Sequence, residues 1–348
     1  MVILPQLFQS YDLKIRGHNQ THQSLWGIFH GAPSRDAGHL TCPCRLPIQE
    51  NATRSDPRAL HDAIQARLDE LVAQMSTWEE DADIMRFNRC AAGEWFVLRD
   101  DMLQVLTVAL DIASRSDGAF DPTVSPLVAA WGFGAHAHGR GRPTPAALVE
   151  ARSRVGWQHL RLDAAQRRVR QPGGVMLDLS AIAKGYGVDV VADLLRRRGI
   201  DAGLIEVGGE LYGYGRKADG QPWRVLVESS PDEEADNEGL EPRVLALDGM
   251  AVATSGDRWH AYAQDGHRYS HTIDPRSGEP VTDAAAAVTV IAADAMHADA
   301  WATALTVMGT EEGPAFAAHH GLAARFLQRT GEGLRETMTP AFEQHLAA

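Results

Sequence analysis

The sequence has few of the features that mark several large protein classes. Its three cysteines, Cys42, Cys44 and Cys90, are too few for a disulfide framework, and Cys42 with Cys44 lacks the second pair of a zinc site. No apolar run approaches the ~18 residues of a membrane span. The 33 Lys+Arg residues are outnumbered by 46 Asp+Glu residues. These shortages predict free thiols, no membrane span and no broad surface for nucleic acid.

The composition predicts a folded, acidic protein. With 44% hydrophobic and 23% charged residues, the chain has enough apolar material for a core, and its formal charge is −13. A polyanionic ligand would therefore need a local positive potential, from a divalent metal or a helix N-terminus. The first 20 residues carry polar and charged side chains where a signal peptide needs an apolar core, so the sequence as written predicts an unexported, cytoplasmic protein.

Hydrophobic periodicity divides the chain into three parts. Residues 1–55 are poorly patterned, residues 56–335 form one folded unit, and residues 336–348 form a C-terminal tail. Apolar stripes and end signals predict helices over residues 57–75, 101–114, 184–198 and 295–308, the last two ended by Gly199 and Gly309.

Strand patterns lie between and after these helices. They predict strands over residues 175–179, 204–214, 223–228, 243–247, 249–254, 268–273 and 288–292. Two loops, residues 131–145 and 229–242, are expected to leave the compact body. Residues 175–214 thus form a strand, helix, strand unit, and the fold class is α+β, with sheets flanked by helices.

One pair of oxygen-bearing side chains has the spacing of a cation site. Asp299 and Thr303 are four positions apart on a predicted helix, so both project from one face. Together with a backbone carbonyl they would make a partial shell for Mg²⁺. The alternative is that Thr303 bonds back to its own helix while Asp299 faces water.

A second constellation lies in DLSAIAKGYG (residues 178–187), where a predicted strand meets a helix through small residues. The first turn of this helix offers free N–H groups to a phosphate, and Lys184 could meet an anion. Asp178 could accept a hydrogen bond from a ring N–H. An ordinary strand-to-helix connection with a solvated lysine explains the same residues.

A third constellation contains His271, which alternation in the strand places on one face with Tyr269 and Ile273. Histidine titrates near neutrality, so His271 could accept a proton. A histidine in a strand is also commonly structural.

Taken in order along the chain, these and other segments resemble the ApbE family of flavin transferases. The resemblance extends over about residues 57–330 and is carried by MSTW (75–78), DIMRFN (83–88), DGAFDPTV (117–124), PL (126–127), WGFG (131–134), DLSAIAKG (178–185), EVGGE (206–210), TSGD (254–257), SHTIDP (270–275) and DAWATA (299–304). Many blocks in one order are more specific than any single motif.

The resemblance implies a set of site residues and a fold of sheets flanked by helices around an FAD cleft. Mg²⁺ would be held by the Ala181 carbonyl and the side chains of Asp299 and Thr303, and His271 would be the catalytic base. The residues that match FAD contacts are Trp78, Ala119, Phe120, Asp121, Asp178, Lys184 and Ile273.

Two departures from the family pattern lie near the N-terminus. Family members carry a Met-Gly-Thr strand before the first helix, but residues 24–29 or 40–46 occupy this region without the motif, which predicts weaker flavin binding. The lipoprotein signal is also missing, whereas family members are often periplasmic and membrane-anchored.

The implied activity is Mg²⁺-dependent transfer of FMN from FAD to a threonine or serine hydroxyl of an acceptor protein, with release of AMP. A hydrolase would use water instead and release FMN and AMP. A third possibility is an FAD-binding protein without turnover. No residue pattern distinguishes a protein hydroxyl from water as the acceptor.

Overall fold

The structure is a computed structural model that describes residues 12–18, 24–30, 57–134, 137, 141–227, 240, 242–256, 261–264, 267–281, 285–331 and 333–347. Within these ranges, the helices are α1 (Pro57–Met75), α2 (Asp83–Asn88), α3 (Asp100–Arg115), α4 (Ser125–Ala130), α5 (Pro145–Ser153), α6 (Ser180–Arg197), α7 (Ala295–His319) and α8 (Pro340–Glu343). The strands are β1 (Asp12–His18), β2 (Ser24–His30), β3 (Trp95–Val97), β4 (Arg161–Asp163), β5 (Arg168–Arg170), β6 (Ala202–Val207), β7 (Glu210–Tyr214), β8 (Trp223–Val227), β9 (Arg243–Leu247), β10 (Met250–Gly256), β11 (Ala261–Gln264), β12 (His267–Ser270), β13 (Ala287–Ala292), β14 (Ala323–Thr330) and β15 (Gly333–Met338).

An eight-stranded antiparallel sheet forms the middle layer, with the strand order β15-β14-β13-β10-β7-β6-β1-β2. Along β10, Ala251 and Ala253 belong to the core shared with the helices, while Val252 belongs to a second core on the opposite face. This alternation is expected for a strand buried on both faces. Helices α1, α3, α6 and α7 therefore cover one face, and the β8–β9 hairpin with α8 covers the other.

Two smaller units lie beside this body. The short strands β3, β5 and β4 form one sheet, and β11 pairs with β12. A separate apolar cluster joins α4 and α5 to the chain after β12, and its buried members are Leu127, Trp131, Ala151 and Ile273. The indole N–H of Trp131 donates to the Gly278 carbonyl at 2.9 Å, which ties this cluster to the loop that follows β12.

The helix predictions are confirmed, with differences at the ends. Helix α1 has the predicted bounds, and α3 is one residue longer at each end. Helix α6 begins at Ser180, earlier than predicted, and ends before Gly199, which has a φ of 77°. Helix α7 is interrupted at Gly309, where φ is 75° and ψ is −166°, and it continues beyond this kink to His319.

One strand prediction is wrong, and two others are confirmed only in part. Residues 175–179 form no strand, because Leu177 exchanges both of its backbone hydrogen bonds with the Asn88 side chain, at 2.7 and 3.0 Å. Residues 204–214 are two strands, β6 and β7, since Gly208 and Gly209 both have positive φ and turn the chain back. The strand predicted over residues 268–273 ends at Ser270, so no alternation reaches Ile273. The predicted strand, helix, strand unit is therefore an irregular segment, a helix and a hairpin.

The predicted strands over residues 223–228, 243–247, 249–254 and 288–292 are confirmed as β8, β9, β10 and β13. Near the ends of the chain, residues 12–18 and 24–30 form β1 and β2, while Cys42, Cys44 and residues 40–46 lie outside the described residues. The boundary expected after residue 335 falls inside β15. Cys90 is a free thiol. In the described part of the chain, no helix combines the length and apolar character of a membrane span.

Candidate active site

The segment before α6 is held by side chains and a loop. Asp178 donates its backbone N–H to the Pro122 carbonyl at 2.8 Å, which joins this segment to the turn around residues 117–122. One carboxylate oxygen of Asp178 accepts from the backbone N–H of Ser180 at 2.9 Å and from its hydroxyl at 2.5 Å. Asp178 thus forms a turn just before α6, and its second carboxylate oxygen makes no hydrogen bond among the described residues.

Helices α6 and α7 cross at Gly185. A Cβ atom at this position would lie 2.1 Å from the Ala295 carbonyl oxygen, so only glycine permits the approach. The backbone N–H of Gly185 donates to Oδ2 of Asp299 at 3.0 Å. Asp299 is 5% exposed. The alternative in which Asp299 faces water is therefore wrong.

The three expected metal ligands lie on the two helices that cross, Ala181 on α6 and both Asp299 and Thr303 on α7. Ala181 lies about one turn before Gly185, the residue whose N–H donates to Asp299. Thr303 lies one turn after Asp299 on α7 and is half-buried. Its hydroxyl makes no hydrogen bond within the described residues, whereas Thr306 bonds back to the Ala302 carbonyl at 2.8 Å. The alternative in which Thr303 bonds to its own helix is therefore also wrong.

Lys184 forms a buried ion pair with Glu210, the first residue of β7. The Lys184 ammonium contacts Oε1 of Glu210, and the side chains are 19% and 3% exposed. The second oxygen, Oε2, is buried without a hydrogen-bond partner. The alternative of a solvated Lys184 is wrong, because burial and a carboxylate hold this ammonium at the α6–α7 crossing.

The charges at the crossing shift one another's pKa. Burial alone would lower the pKa of Lys184, but Glu210 and Asp299 outweigh it and raise this pKa above its ordinary value. Burial raises the pKa of the Asp299 carboxyl, and the Lys184 ammonium opposes this shift. Burial likewise raises the pKa of Glu210. The cluster therefore contains the protonated ammonium of Lys184 and two carboxylates, Glu210 and Asp299. Burial disfavours the charged form of both carboxylates.

The predicted FAD-contact stretch lies in a tight turn after α3. Asp117 and Gly118 have φ values of 49° and 76°, and the following Ala119 and Phe120 are buried. Asp121 accepts from the backbone N–H and hydroxyl of Thr123, at 2.8 and 2.6 Å, and from the Trp157 N–H at 3.1 Å. Burial raises the pKa of Asp121 despite these hydrogen bonds. The Asp121 carboxylate thus shapes the turn.

The loop after β12 reaches the same turn. Ile273 is buried and pairs with Pro280 in an isolated bridge, which closes the loop. The side chain of Arg276 pairs with Asp274, and its Cγ lies 3.9 Å from where a Cβ of Gly118 would be. This loop therefore abuts the turn that carries Ala119, Phe120 and Asp121.

His271 and Trp78 lie on two further segments, just after β12 and just after α1. His271 follows the last residue of β12 and is half-buried, with its ring edge-to-face with Phe133 at 6.4 Å between centroids. Trp78 is half-buried just after α1, and its backbone N–H donates to the Ser76 hydroxyl at 3.2 Å. Hydrogen bonds and close contacts thus link α6, α7, the turn and the loop that begins with His271.

The sequence reasoning assigned no role to Glu210, although it belongs to the EVGGE block. Its partner Lys184 is 26 residues away, and only the fold brings the two together. One sequence feature could have indicated a role for Glu210: it is a charged residue that directly follows two glycines and begins a strand whose positions are mostly buried. In the described residues, no three His, Cys, Asp or Glu side chains are grouped to hold a metal, so a cation would depend on carbonyl and hydroxyl oxygens.

These features define an α+β protein in which a buried carboxylate, Asp299, and a buried Lys184–Glu210 ion pair lie where two helices cross. The chain belongs to the ApbE family, whose model matches residues 40–326. It is 38% identical to an FAD:protein FMN transferase of Vibrio cholerae serotype O1, over 84% of this chain and 86% of the relative. An FAD:protein FMN transferase of Klebsiella pneumoniae is 36% identical over 83% and 82% of the two chains.

The solved structures agree with this assignment. The apo crystal structure of the Pseudomonas stutzeri flavinyl transferase ApbE superposes with a TM-score of 0.74 at 38% identity, and it covers 84% of this chain and 90% of that one. The similarity therefore extends to the arrangement of sheets and helices, and the α+β fold class is confirmed.

Proposed function

We propose that this protein transfers the FMN half of FAD to a threonine or serine hydroxyl of an acceptor protein, releases AMP and requires Mg²⁺. The relatives at 36% and 38% identity, both FAD:protein FMN transferases, support the reaction. The observation that carries the proposal is the α6–α7 crossing, where the backbone N–H of Gly185 binds the buried Asp299 and the neighbouring Lys184 is paired with Glu210.

The residues present fit Mg²⁺. A carbonyl, a carboxylate and a hydroxyl are the hard oxygen ligands that this ion prefers. The hydrogen bond between Gly185 and Asp299 joins the helix that carries Ala181 to the helix that carries Asp299 and Thr303. Ala181, Asp299 and Thr303 would hold the ion. When bound, it would neutralise the pyrophosphate charge and polarise the phosphorus that is attacked.

The chain's own residues then have distinct roles. Lys184 and the first turn of α6 attract the pyrophosphate, which compensates for the −13 charge of the whole chain. Asp178 uses its unoccupied carboxylate oxygen to accept from a ring N–H. The flavin and adenine halves lie against Trp78, Ile273 and the turn formed by Ala119, Phe120 and Asp121.

The transfer step forms one bond and breaks another. The acceptor hydroxyl oxygen bonds to the FMN phosphorus, the bond from this phosphorus to the bridging oxygen breaks, and AMP leaves with that oxygen. His271 takes the hydroxyl proton. A base near neutral pKa suits this step, since it must be unprotonated at the start and basic enough to accept.

The test is to incubate the purified protein with FAD and MgCl₂, with and without a protein that carries a flavinylation site, and to measure AMP and protein-bound flavin fluorescence. Transfer predicts AMP release that depends on the acceptor, with covalent flavin. AMP and free FMN without an acceptor would identify a hydrolase instead. Bound FAD without AMP would identify a flavin-binding protein.

The Asp299→Ala variant tests the metal assignment in the same assay. It should lose most activity while its circular dichroism spectrum is unchanged, because the carboxylate binds the ion and lies outside the apolar packing of the sheet. An active variant with normal Mg²⁺ dependence would remove Asp299 from the metal site.

A further inference from the structure

Glu210 lies against Lys184 at the tip of the β6–β7 hairpin. Val207 pairs with Glu210 across the two-residue turn formed by Gly208 and Gly209. A Cβ at Gly208 would lie 3.5 Å from both Oε2 of Glu210 and Cδ of Lys184, so the turn packs directly on the ion pair. The hairpin thus fixes the carboxylate at one place beside α6.

Lys184 has two carboxylates within electrostatic reach. It forms a direct ion pair with Glu210, and the backbone N–H of the next residue, Gly185, donates to Asp299 at 3.0 Å. Both carboxylates are buried, at 2% and 5% exposure, so two negative charges lie near one ammonium in a poorly solvated place. In a buried setting, these interactions are much stronger than at a solvated surface. The position of one ammonium therefore decides which carboxylate is neutralised.

Only one of these carboxylates belongs to the expected metal site. If the ammonium moved onto Asp299, it would occupy the place of a cation and repel a divalent ion by like charge. While it is paired with Glu210, Asp299 keeps its negative charge for the metal. The ammonium also stays beside the first turn of α6, where a phosphate would bind.

We propose that Glu210 is a positioning residue that holds Lys184 off Asp299, so that Asp299 is available to a divalent cation and Lys184 to the phosphate. This inference rests on the proposed metal site of the transferase. It assigns the EVGGE block a function, since its two glycines make the turn and its last residue holds the lysine.

The test measures metal binding without turnover. Mn²⁺ binding to the apoprotein is followed by electron paramagnetic resonance for the wild type, Glu210→Gln, Lys184→Met and the double variant. Glu210→Gln should weaken Mn²⁺ binding about tenfold, because the unpaired ammonium turns to Asp299. The double variant should bind as tightly as Lys184→Met, within about twofold, because the competing ammonium is gone.

Two further variants separate positioning from general damage. Glu210→Asp keeps the charge and should bind Mn²⁺ better than Glu210→Gln. Glu336→Gln removes another buried carboxylate that pairs with arginines, on β15, and should leave Mn²⁺ binding unchanged even where its thermal stability falls. Circular dichroism checks that each variant is folded at the assay temperature.

The outcomes distinguish this inference from the proposed function. If Glu210→Gln binds Mn²⁺ like the wild type, or the double variant stays as weak as Glu210→Gln, the positioning role is wrong while the metal site stands. If wild type and Asp299→Ala bind Mn²⁺ equally weakly, the metal assignment itself fails, and the role of Glu210 fails with it.

Discussion

At the scale of single residues, a comparison of Thr303 with Thr306 distinguishes a candidate metal ligand from a hydroxyl with a structural role. Thr303 and Thr306 lie on the same helix, but Thr306 is fully buried and bonded to Ala302, while Thr303 makes no hydrogen bond among the described residues. Thr303→Val should therefore raise the Mg²⁺ concentration needed for half-maximal transfer by about tenfold, since one of the few oxygen ligands is lost.

Thr306→Val is the matched control. It removes a buried hydroxyl that satisfies its own helix, so it should change stability by about 1 kcal/mol and leave the Mg²⁺ dependence unaltered. Activity titrations against Mg²⁺ and chemical denaturation give the two readouts. Equal Mg²⁺ dependence in both variants would show that Thr303 binds no metal.

Sequence spacing could identify Asp299 and Thr303 as a pair because the helical repeat is local and regular. It could not show that Asp299 is buried against Gly185, because that contact joins residues 114 positions apart. The pairing of Lys184 with Glu210 is hidden for the same reason. The candidate ligands are thus predictable from one helix, and their electrostatic environment depends on the packing of two helices and a hairpin.

At the scale of helices and strands, Gly185 determines how closely α6 and α7 approach. Gly185→Ala should destabilise the protein by about 1–3 kcal/mol or more, because its Cβ would overlap the backbone of α7. The same change should weaken Mg²⁺ binding, since it displaces the N–H that joins the two helices. Denaturant unfolding and Mg²⁺ titration measure both effects.

The neighbouring Gly187→Ala is a control on the same helix. Its nearest neighbour would be Cδ2 of Leu68 at 3.7 Å, an ordinary contact. The added methyl group should stabilise the helix by roughly 0.5–1 kcal/mol, because alanine loses less backbone entropy than glycine. If both variants lose equal stability, close approach at Gly185 is not the cause.

The first turn of α7 predicts a pH dependence. Nδ1 of the His297 ring forms a hydrogen bond with Oδ1 of Asp294 at 2.7 Å. This hydrogen bond raises the pKa of His297, and burial opposes the shift. A raised folded-state pKa stabilises the protein below the unfolded value of about 6.5, and this contribution is lost as the pH rises through the folded-state pKa. Stability should therefore fall between about pH 6 and pH 9.

Measuring the unfolding free energy of the wild type and of His297→Gln at about pH 6 and about pH 9 isolates the contribution of the His297–Asp294 pair. A third of the His297 side chain is exposed, so solvent screens its interaction with Asp294. The wild type should therefore lose at most about 1 kcal/mol more unfolding free energy over this pH range than the variant loses. A variant that loses as much stability as the wild type over this range would exclude the pair as its source.

The predictions of helices and strands are confirmed where local sequence signals determine the element. Helix α1 has its predicted bounds because Pro57 suits a first turn and one apolar stripe runs to Met75. The segment 175–179 has the apolar residues of a strand, but a strand also needs a neighbour, and Asn88 supplies these hydrogen bonds instead. Likewise, Gly208 and Gly209 fit either an interrupted strand or a turn, and the pairing of β6 with β7 decides between them.

At the scale of the whole molecule, the large sheet separates the site from the smaller of the two apolar cores that flank it. The α6–α7 crossing lies on the helical face of the large sheet, and the core of β8, β9 and α8 lies on the other. Residues 339–347 contribute to this second core through Phe342, whose side chain is fully buried. Residues 339–347 therefore cover part of one face of the sheet.

Phe342→Ala tests this separation. It should cost about 3–5 kcal/mol, because it leaves a cavity in the core that contains Leu245 and Leu247. Transfer activity per folded molecule at low temperature should match the wild type, since no site residue belongs to that core. Denaturant unfolding together with assays on the folded fraction gives both quantities. A variant that stays folded but loses FAD binding would show that the two faces of the sheet are coupled, because the defect would have crossed the sheet to reach the α6–α7 crossing.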